Sequence, residues 1–236
     1  AQERSLDWWR QRLAGAPLAL ELPTDFPRPA APSTRGARRE LSLPREIAAG
    51  LERLARDEGT TPFAALLAGF QALLHRWSGQ EDVVVGAPFA NRLRPEVQGL
   101  IGFFVNTLPI RTDLSGRASG RPSFRELLRR VREATLGAYE HQEVPFEKLV
   151  AELQPERSLS HAPLFQVMFA LQNADSGRGA GIAGLRLEPF GSEIRTVRFD
   201  LELDLTEVGE ELVGNLRFRT DLFDAATMER FAAQYE

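Results

Sequence analysis

Cysteine is absent from the 236 residues. Without it, neither a disulfide framework nor a thiolate metal site can form. Lysine is nearly absent: Lys148 stands alone, and the remaining basic charge is arginine. That bias fits a GC-rich genome better than a basic binding surface. Excess positive charge is missing too. The net charge of -4 gives no attraction to nucleic acid or to an anionic membrane. No apolar run approaches the roughly 20 residues of a membrane helix. The opening Ala1-Gln-Glu-Arg4 shows no signal-peptide pattern. A cytoplasmic protein is expected, with neither nucleic acid nor membrane as a partner.

Histidine is scarce as well. His75, His141 and His161 share no metal-ligand spacing, so no metal site is expected. His75 falls within an apolar helix and reads as a core or helix-end residue. His141 and His161 each stand alone and read as structural. Val83-Val-Val-Gly-Ala-Pro88 has one glycine after a strand and lacks the spacing that cradles a pyrophosphate. No G-x-S-x-G elbow occurs, and no local motif supports a Ser-His-Asp arrangement.

What is present is a core-forming chain of mixed secondary structure. Hydrophobic residues make up 43%, enough to bury a large interior. Ser5 to Leu13 predicts an amphipathic helix with Trp8 and Trp9, stopped by Gly15 and Pro17. Five prolines from Pro17 to Pro32 exclude helix and central strand, leaving an extended crossover packed on a surface. Arg38 to Leu43 predicts a strand, followed by a helix opened by Pro44 and closed by Gly59. Thr61-Pro62 opens a buried helix to about Trp77. Asp82 to Phe89 and Phe103 to Arg111 read as strands. Ser123-Phe-Arg-Glu126 is a capping box for a helix to about Glu140. A short helix from Pro145 to Leu153 and a strand from Leu164 to Leu171 follow. Asn173 to Gly184, with its glycines and no hydrophobic period, reads as a mobile loop.

The last third alternates. Phe199, Leu201, Leu203 and Leu205 intersperse with acids, and Leu212, Leu216 and Phe218 intersperse with polar residues. A two-stranded ribbon is predicted, pairing Phe199 with Phe218, Leu201 with Leu216 and Leu205 with Leu212. Its turn is Val208-Gly209, and Asp200 faces Arg217. Asp224 caps a final helix, Ala225 to Tyr235. The class is α/β: a mixed α+β sheet with flanking helices.

Two segments carry more than packing requires. Ile101-Gly-Phe-Phe-Val-Asn-Thr107 places Asn106 and Thr107 directly after an apolar run. Thirty-four residues later comes His141-Gln-Glu-Val-Pro-Phe-Glu147, a Pro-Phe pair between carboxylates. Read alone, the first is a buried strand end whose Asn and Thr satisfy turn backbone. Read alone, the second is a helix start with Pro145 in the first turn and Phe146 inward.

In combination they resemble two signatures of the condensation domains of nonribosomal peptide synthetases. The resemblance extends through Ser5 to Pro17, Leu73 to Arg92, Arg157 to Phe169 and Thr220 to Asp224. Ser158, His161 and Ala162 depart from the signature Arg-Asp-x-Ser-Arg-Asn-Pro-Leu. The resemblance implies a chloramphenicol-acetyltransferase-like fold, two α/β lobes with a channel between them. It implies amide formation between groups carried as thioesters on phosphopantetheine arms, with no cofactor bound covalently. Implied partners are donor and acceptor peptidyl carrier domains, an adjacent adenylation domain and an N-terminal lobe.

The catalytic His-His-x-x-x-Asp-Gly does not occur in the sequence. Residues 1–236 are therefore expected to be the C-terminal lobe, with 1–34 as its N-terminal helix and crossover. No catalytic residue is expected in it, and alone it should be inactive. By resemblance, Gly102, Phe103, Phe104, Asn106 and Thr107 line the channel. His141, Gln142, Pro145, Phe146 and Glu147 support that wall. Arg92 makes a structural salt bridge to the aspartate of the other lobe. The excised lobe should expose an apolar seam and self-associate. A freestanding coenzyme A-dependent acyltransferase lobe and a non-catalytic interaction module are the alternatives.

Overall fold

A computed structural model of the chain describes residues 2–92, 94–116, 122–153, 160–172, 196–209 and 211–236. Among them, one mixed sheet carries every named strand, in the order β1-β6-β5-β4-β2-β3. These strands are β1 Gly36–Leu43, β2 Asp82–Phe89, β3 Asn106–Asp113, β4 Val167–Gln172, β5 Leu201–Val208 and β6 Glu211–Arg219. β4 runs parallel to both β2 and β5, whereas β1/β6, β5/β6 and β2/β3 are antiparallel. Val83 to Val85 and Val167, Phe169 and Ala170 are buried, as expected of central strands covered on both faces.

Helices α1 Gln2–Leu13, α2 Arg45–Asp57, α3 Pro62–Ser78, α4 Pro95–Gln98, α5 Phe124–Glu140, α6 Phe146–Leu153 and α7 Ala225–Tyr235 complete the described elements. α3 is the central core helix. It is apolar nearly all round and buries Leu66, Leu67, Phe70 and Leu74 against α2, α5 and α7. Thr61 caps it by accepting from the Ala64 N–H, and Gly79 closes it in the left-handed region at φ 72°. Ser123 accepts from the Glu126 N–H to start α5, and Asp224 accepts from the Ala226 N–H to start α7. The proline-rich stretch after α1 holds neither helix nor strand, yet Leu20 within it is buried.

Five expectations change, one of them at β4, which begins at Val167 rather than Leu164. α1 begins at Gln2 rather than Ser5. The short α4 was not foreseen; its four residues are too few to show a helical period. The strand predicted from Phe103 begins only at Asn106, because Ile101 and Phe103 project into solvent. The ribbon is slipped by two residues: Leu201 pairs with Phe218, Leu203 with Leu216 and Leu205 with Gly214. The side-chain period is two, so this slip keeps every apolar residue on its predicted face.

Two glycines explain the slip. Gly209, at φ 66°, takes the first turn position after the Val208–Glu211 closing pair. Any Cβ at Gly214 would lie 2.2 Å from the Asp204 carbonyl oxygen and 2.7 Å from Leu205 Cδ2. Pairing by apolar side chains alone overlooked that Leu205 fills the space above a glycine. Glu202 rather than Asp200 is therefore opposite Arg217. The expected loop from Asn173 to Gly184 lies outside the described residues.

Candidate functional site

β2 delivers the chain to a projecting segment between its end at Phe89 and the start of β3. Here the apolar run turns outward: Ile101 is 104% exposed and Phe103 93% exposed, with Leu100 and Val105 also exposed. Arg92 organises this spur from within. Its Nη1 donates to the carbonyls of Val97, Gln98 (3.3 Å) and Leu100 (2.9 Å), and Nη2 donates to that of Gly102 (3.4 Å). The same guanidinium lies 4.2 Å from the centroid of the Phe104 ring. A planar cation with five donors in a rigid fork can hold several carbonyls of one loop at once. Asn91, just before it, adopts φ 51°, a conformation asparagine tolerates.

At the inner end of the spur sits Asn106, buried at the start of β3. Its Nδ2 donates to the carbonyls of Gln142 (2.9 Å) and Val144 (2.8 Å). Its Oδ1 accepts from the Phe146 N–H at 3.1 Å. The two signature segments are thus one clasp. Phe146 is the first residue of α6, whose leading N–H groups have no intrahelical partner. Asn106 caps that helix from a strand forty positions away. A side-chain cap is worth about 1 kcal/mol. Removing this one would also strand two turn carbonyls, each at about 1–3 kcal/mol if left buried without a partner.

The far side of the turn is held by α1. Trp9 Nε1 donates to the His141 carbonyl at 3.0 Å, and Trp8 stacks on the His141 ring with centroids 4.5 Å apart. Gly137 makes room for Trp8, since a Cβ there would lie 2.6 Å from its Cζ2. The Ser5 hydroxyl donates to Glu143 Oε1 at 3.0 Å and lies 2.9 Å from His141 Nδ1. Its single proton goes to the carboxylate, so His141 Nδ1 carries the hydrogen of that second contact. This links helix, imidazole and carboxylate, and leaves Ser5 without the geometry of an activated nucleophile.

Farther along the sheet the crossover is fastened at two points. Buried Gln166 accepts from the Leu20 N–H (2.8 Å) and donates to the Leu18 and Ala162 carbonyls. Arg28 grips buried Asp200 with two bonds, at 3.2 and 2.5 Å, and also reaches the Ser160 carbonyl. Nearby His161 is held below the ordinary imidazole range by burial and by the charge of Arg28. An aromatic row, Phe146–Phe165–Phe199, runs beside these with successive centroids 5.3 Å apart. Leu164, immediately before Phe165, sits at φ 70°, an uncommon backbone for leucine.

The structure sorts the expected site residues into three groups. Gly102 and Phe103 are exposed on the spur, with Phe104 half-buried beneath Arg92. Asn106, Gln142 and the Phe146 N–H form the clasp, while Thr107 lies half-buried opposite Pro88. Pro145 and Glu147 are exposed, and His141 is locked by α1. Arg92, expected to reach an aspartate of another lobe, is turned onto its own loop. Gln166 and Arg28 escaped sequence reading. The former lies inside a recognised segment but breaks no pattern, and the latter sits among prolines where no period exists.

With this geometry in place, the chain's relationships are clear. Residues 1–236 match the Condensation domain family throughout, and the chain belongs to that family. It is 52% identical over 235 residues to a linear gramicidin synthase polypeptide of Brevibacillus parabrevis, covering 99% of this chain and 3% of that one. It is 46% identical over 231 residues to phosphinothricin tripeptide synthetase PhsB of Streptomyces viridochromogenes, covering 97% and 19%. Among solved structures, the X-domain from teicoplanin biosynthesis superposes with a TM-score of 0.88 at 32% identity, covering 99% of this chain and 52% of that one. A four-domain nonribosomal peptide synthetase, AB3403, gives a TM-score of 0.86 at 28% identity, over 99% and 19%. The chain therefore spans about half of one such structure and a small part of the synthetases. Among the described residues, no helix is long and apolar enough to cross a membrane.

Proposed function

We propose that residues 1–236 are the C-terminal lobe of a peptide-bond-forming condensation domain, with 1–34 as its helix and crossover. The observation that carries this reading is the clasp: segments 101–107 and 141–147 meet through Asn106, and a rigid apolar spur is exposed beside it. The sequence supplies no His-His-x-x-x-Asp-Gly, so the proton-handling group belongs to the partner lobe. The contribution of this lobe is positioning. An amine and a thioester, each tethered to a phosphopantetheine arm of a donor or acceptor carrier domain, react faster when held in line. Well-aligned intramolecular reactions reach effective molarities of about 10⁵–10⁸ M, roughly 7–11 kcal/mol of barrier. A wall that fixes the geometry and excludes water can supply part of this without an acid or base of its own.

In this reading Gly102, Phe103 and Phe104 face the channel, and an adenylation domain adjoins the domain in its synthetase. Arg92 has a second role, meeting the aspartate of the partner lobe once the lobes are joined. The test compares this chain alone with a two-lobed domain that contains it. Each is incubated with loaded donor and acceptor carriers, and the condensed product is measured by mass spectrometry. Product is expected only from the two-lobed protein. Turnover by the chain alone at a comparable rate would refute the assignment.

A further inference from the structure

We propose that Asn106 is a positioning residue for the transfer reaction, acting by locking the exposed spur to the first turn of α6. The inference rests on the function proposed above and reassigns Asn106 from the channel lining to the scaffold behind it. Asn106 cannot serve substrate directly. It is buried, and its amide is engaged by Gln142, Val144 and Phe146. Its place in the chain is what matters. It is the residue at which the spur enters the sheet, paired with Phe89 at the end of β2. Behind it the spur is stiffened by Arg92, whose guanidinium gathers the carbonyls of Leu100 and Gly102 and covers Phe104. Ahead of it the turn before α6 is pinned by Trp9 and α1.

Two bodies, each rigid by its own bonds, therefore share this amide as a direct link. No other amino acid of this size offers two donors and one acceptor in one plane. Alanine removes the link. Glutamine keeps the chemistry but displaces it by one methylene, so the spur and α6 must shift or the bonds must break.

The experiment uses the complete two-lobed condensation domain that contains this chain, with Asn106→Ala and Asn106→Gln variants. Steady-state transfer between loaded carriers is measured together with amide hydrogen exchange read by mass spectrometry. Exchange should accelerate at 100–105 and 142–149 and stay unchanged in β4, β5 and β6. A misplacement of about 1 Å can cost on the order of 100-fold in rate, so kcat should fall roughly 10- to 100-fold while KM for the loaded donor moves less than about two-fold. Full kcat in a folded variant overturns the proposal. So does an exchange increase spread evenly over the lobe, because Asn106 would then serve only general stability. A parent domain that forms no amide defeats the transfer function instead, and the exchange pattern still decides whether Asn106 couples the two segments.

Discussion

Gly86 offers a direct test of how the strands are packed. It lies in β2 opposite Pro109 and beside Met168 of β4. A Cβ at this position would stand 2.2 Å from Phe165 Cε2, 2.5 Å from Phe165 Cζ and 2.6 Å from Met168 Sδ. The methionine is flexible enough to move. The Phe165 ring is not: it is buried, and Phe146 and Phe199 flank it with centroids 5.3 Å away. Gly86→Ala must therefore push a confined ring, and overpacking of this kind costs about 1–3 kcal/mol. For a chain of this length each kcal/mol lowers Tm by roughly 2–4 °C, so a fall of about 2–12 °C is expected. Chemical denaturation of Gly86→Ala, Phe165→Leu and the double variant separates the clash from ordinary loss of packing. Leucine lacks the two ring atoms that collide, so the double variant should be more stable than the sum of the singles by about 1 kcal/mol or more. A neutral Gly86→Ala, or strict additivity of the pair, would show that the ring does not confine this position.

Other consequences can be measured alongside. Arg28→Ala leaves the buried Asp200 carboxylate with Arg219, 3.8 Å away, as its remaining ion-pair partner among the described residues. Breaking such a pair should cost about 3 kcal/mol in urea denaturation, and removing both partners should recover part of it. Ser123→Ala removes the cap of α5 and should cost about 1 kcal/mol by the same assay. Glu126 is held down to about 2, chiefly by its bonds from Arg129 and then Arg130. Its carboxylate therefore stabilises the fold above the unfolded value of about 4.3, and that contribution is lost as pH falls toward about 2. Glu126→Gln should flatten the acid limb of a stability-versus-pH curve over that window, and an unchanged limb would contradict the pairing. The chain alone exposes Leu100, Ile101, Phe103 and Val105 together, and it should self-associate as concentration rises. Light scattering that returns a monomer throughout would rule this out.

Much of the architecture was legible because it rests on local physics. Thr61-Pro62, Ser123 and Asp224 start helices by capping chemistry that acts within three residues, and each does so in the fold. Alternation from Leu201 to Leu205 assigned every apolar side chain to the correct face, since that depends only on the period of a strand. The family signatures were readable as strings because their residues are contiguous. Tertiary structure decided what no short window contains. The ribbon register depended on the space beneath Leu205, which only a glycine on the neighbouring strand leaves open. The sequence from Phe103 reads as strand, but Phe103 and Val105 face outward, on a loop whose carbonyls at Val97, Gln98, Leu100 and Gly102 are taken by Arg92 instead of by a sheet. Asn106 and Phe146 are forty residues apart, and Arg28 and Asp200 are separated by more than four times that distance. Hydrogen bonds across such separations leave no periodic trace in a sequence. They exist only once the sheet has brought the ends of its strands together.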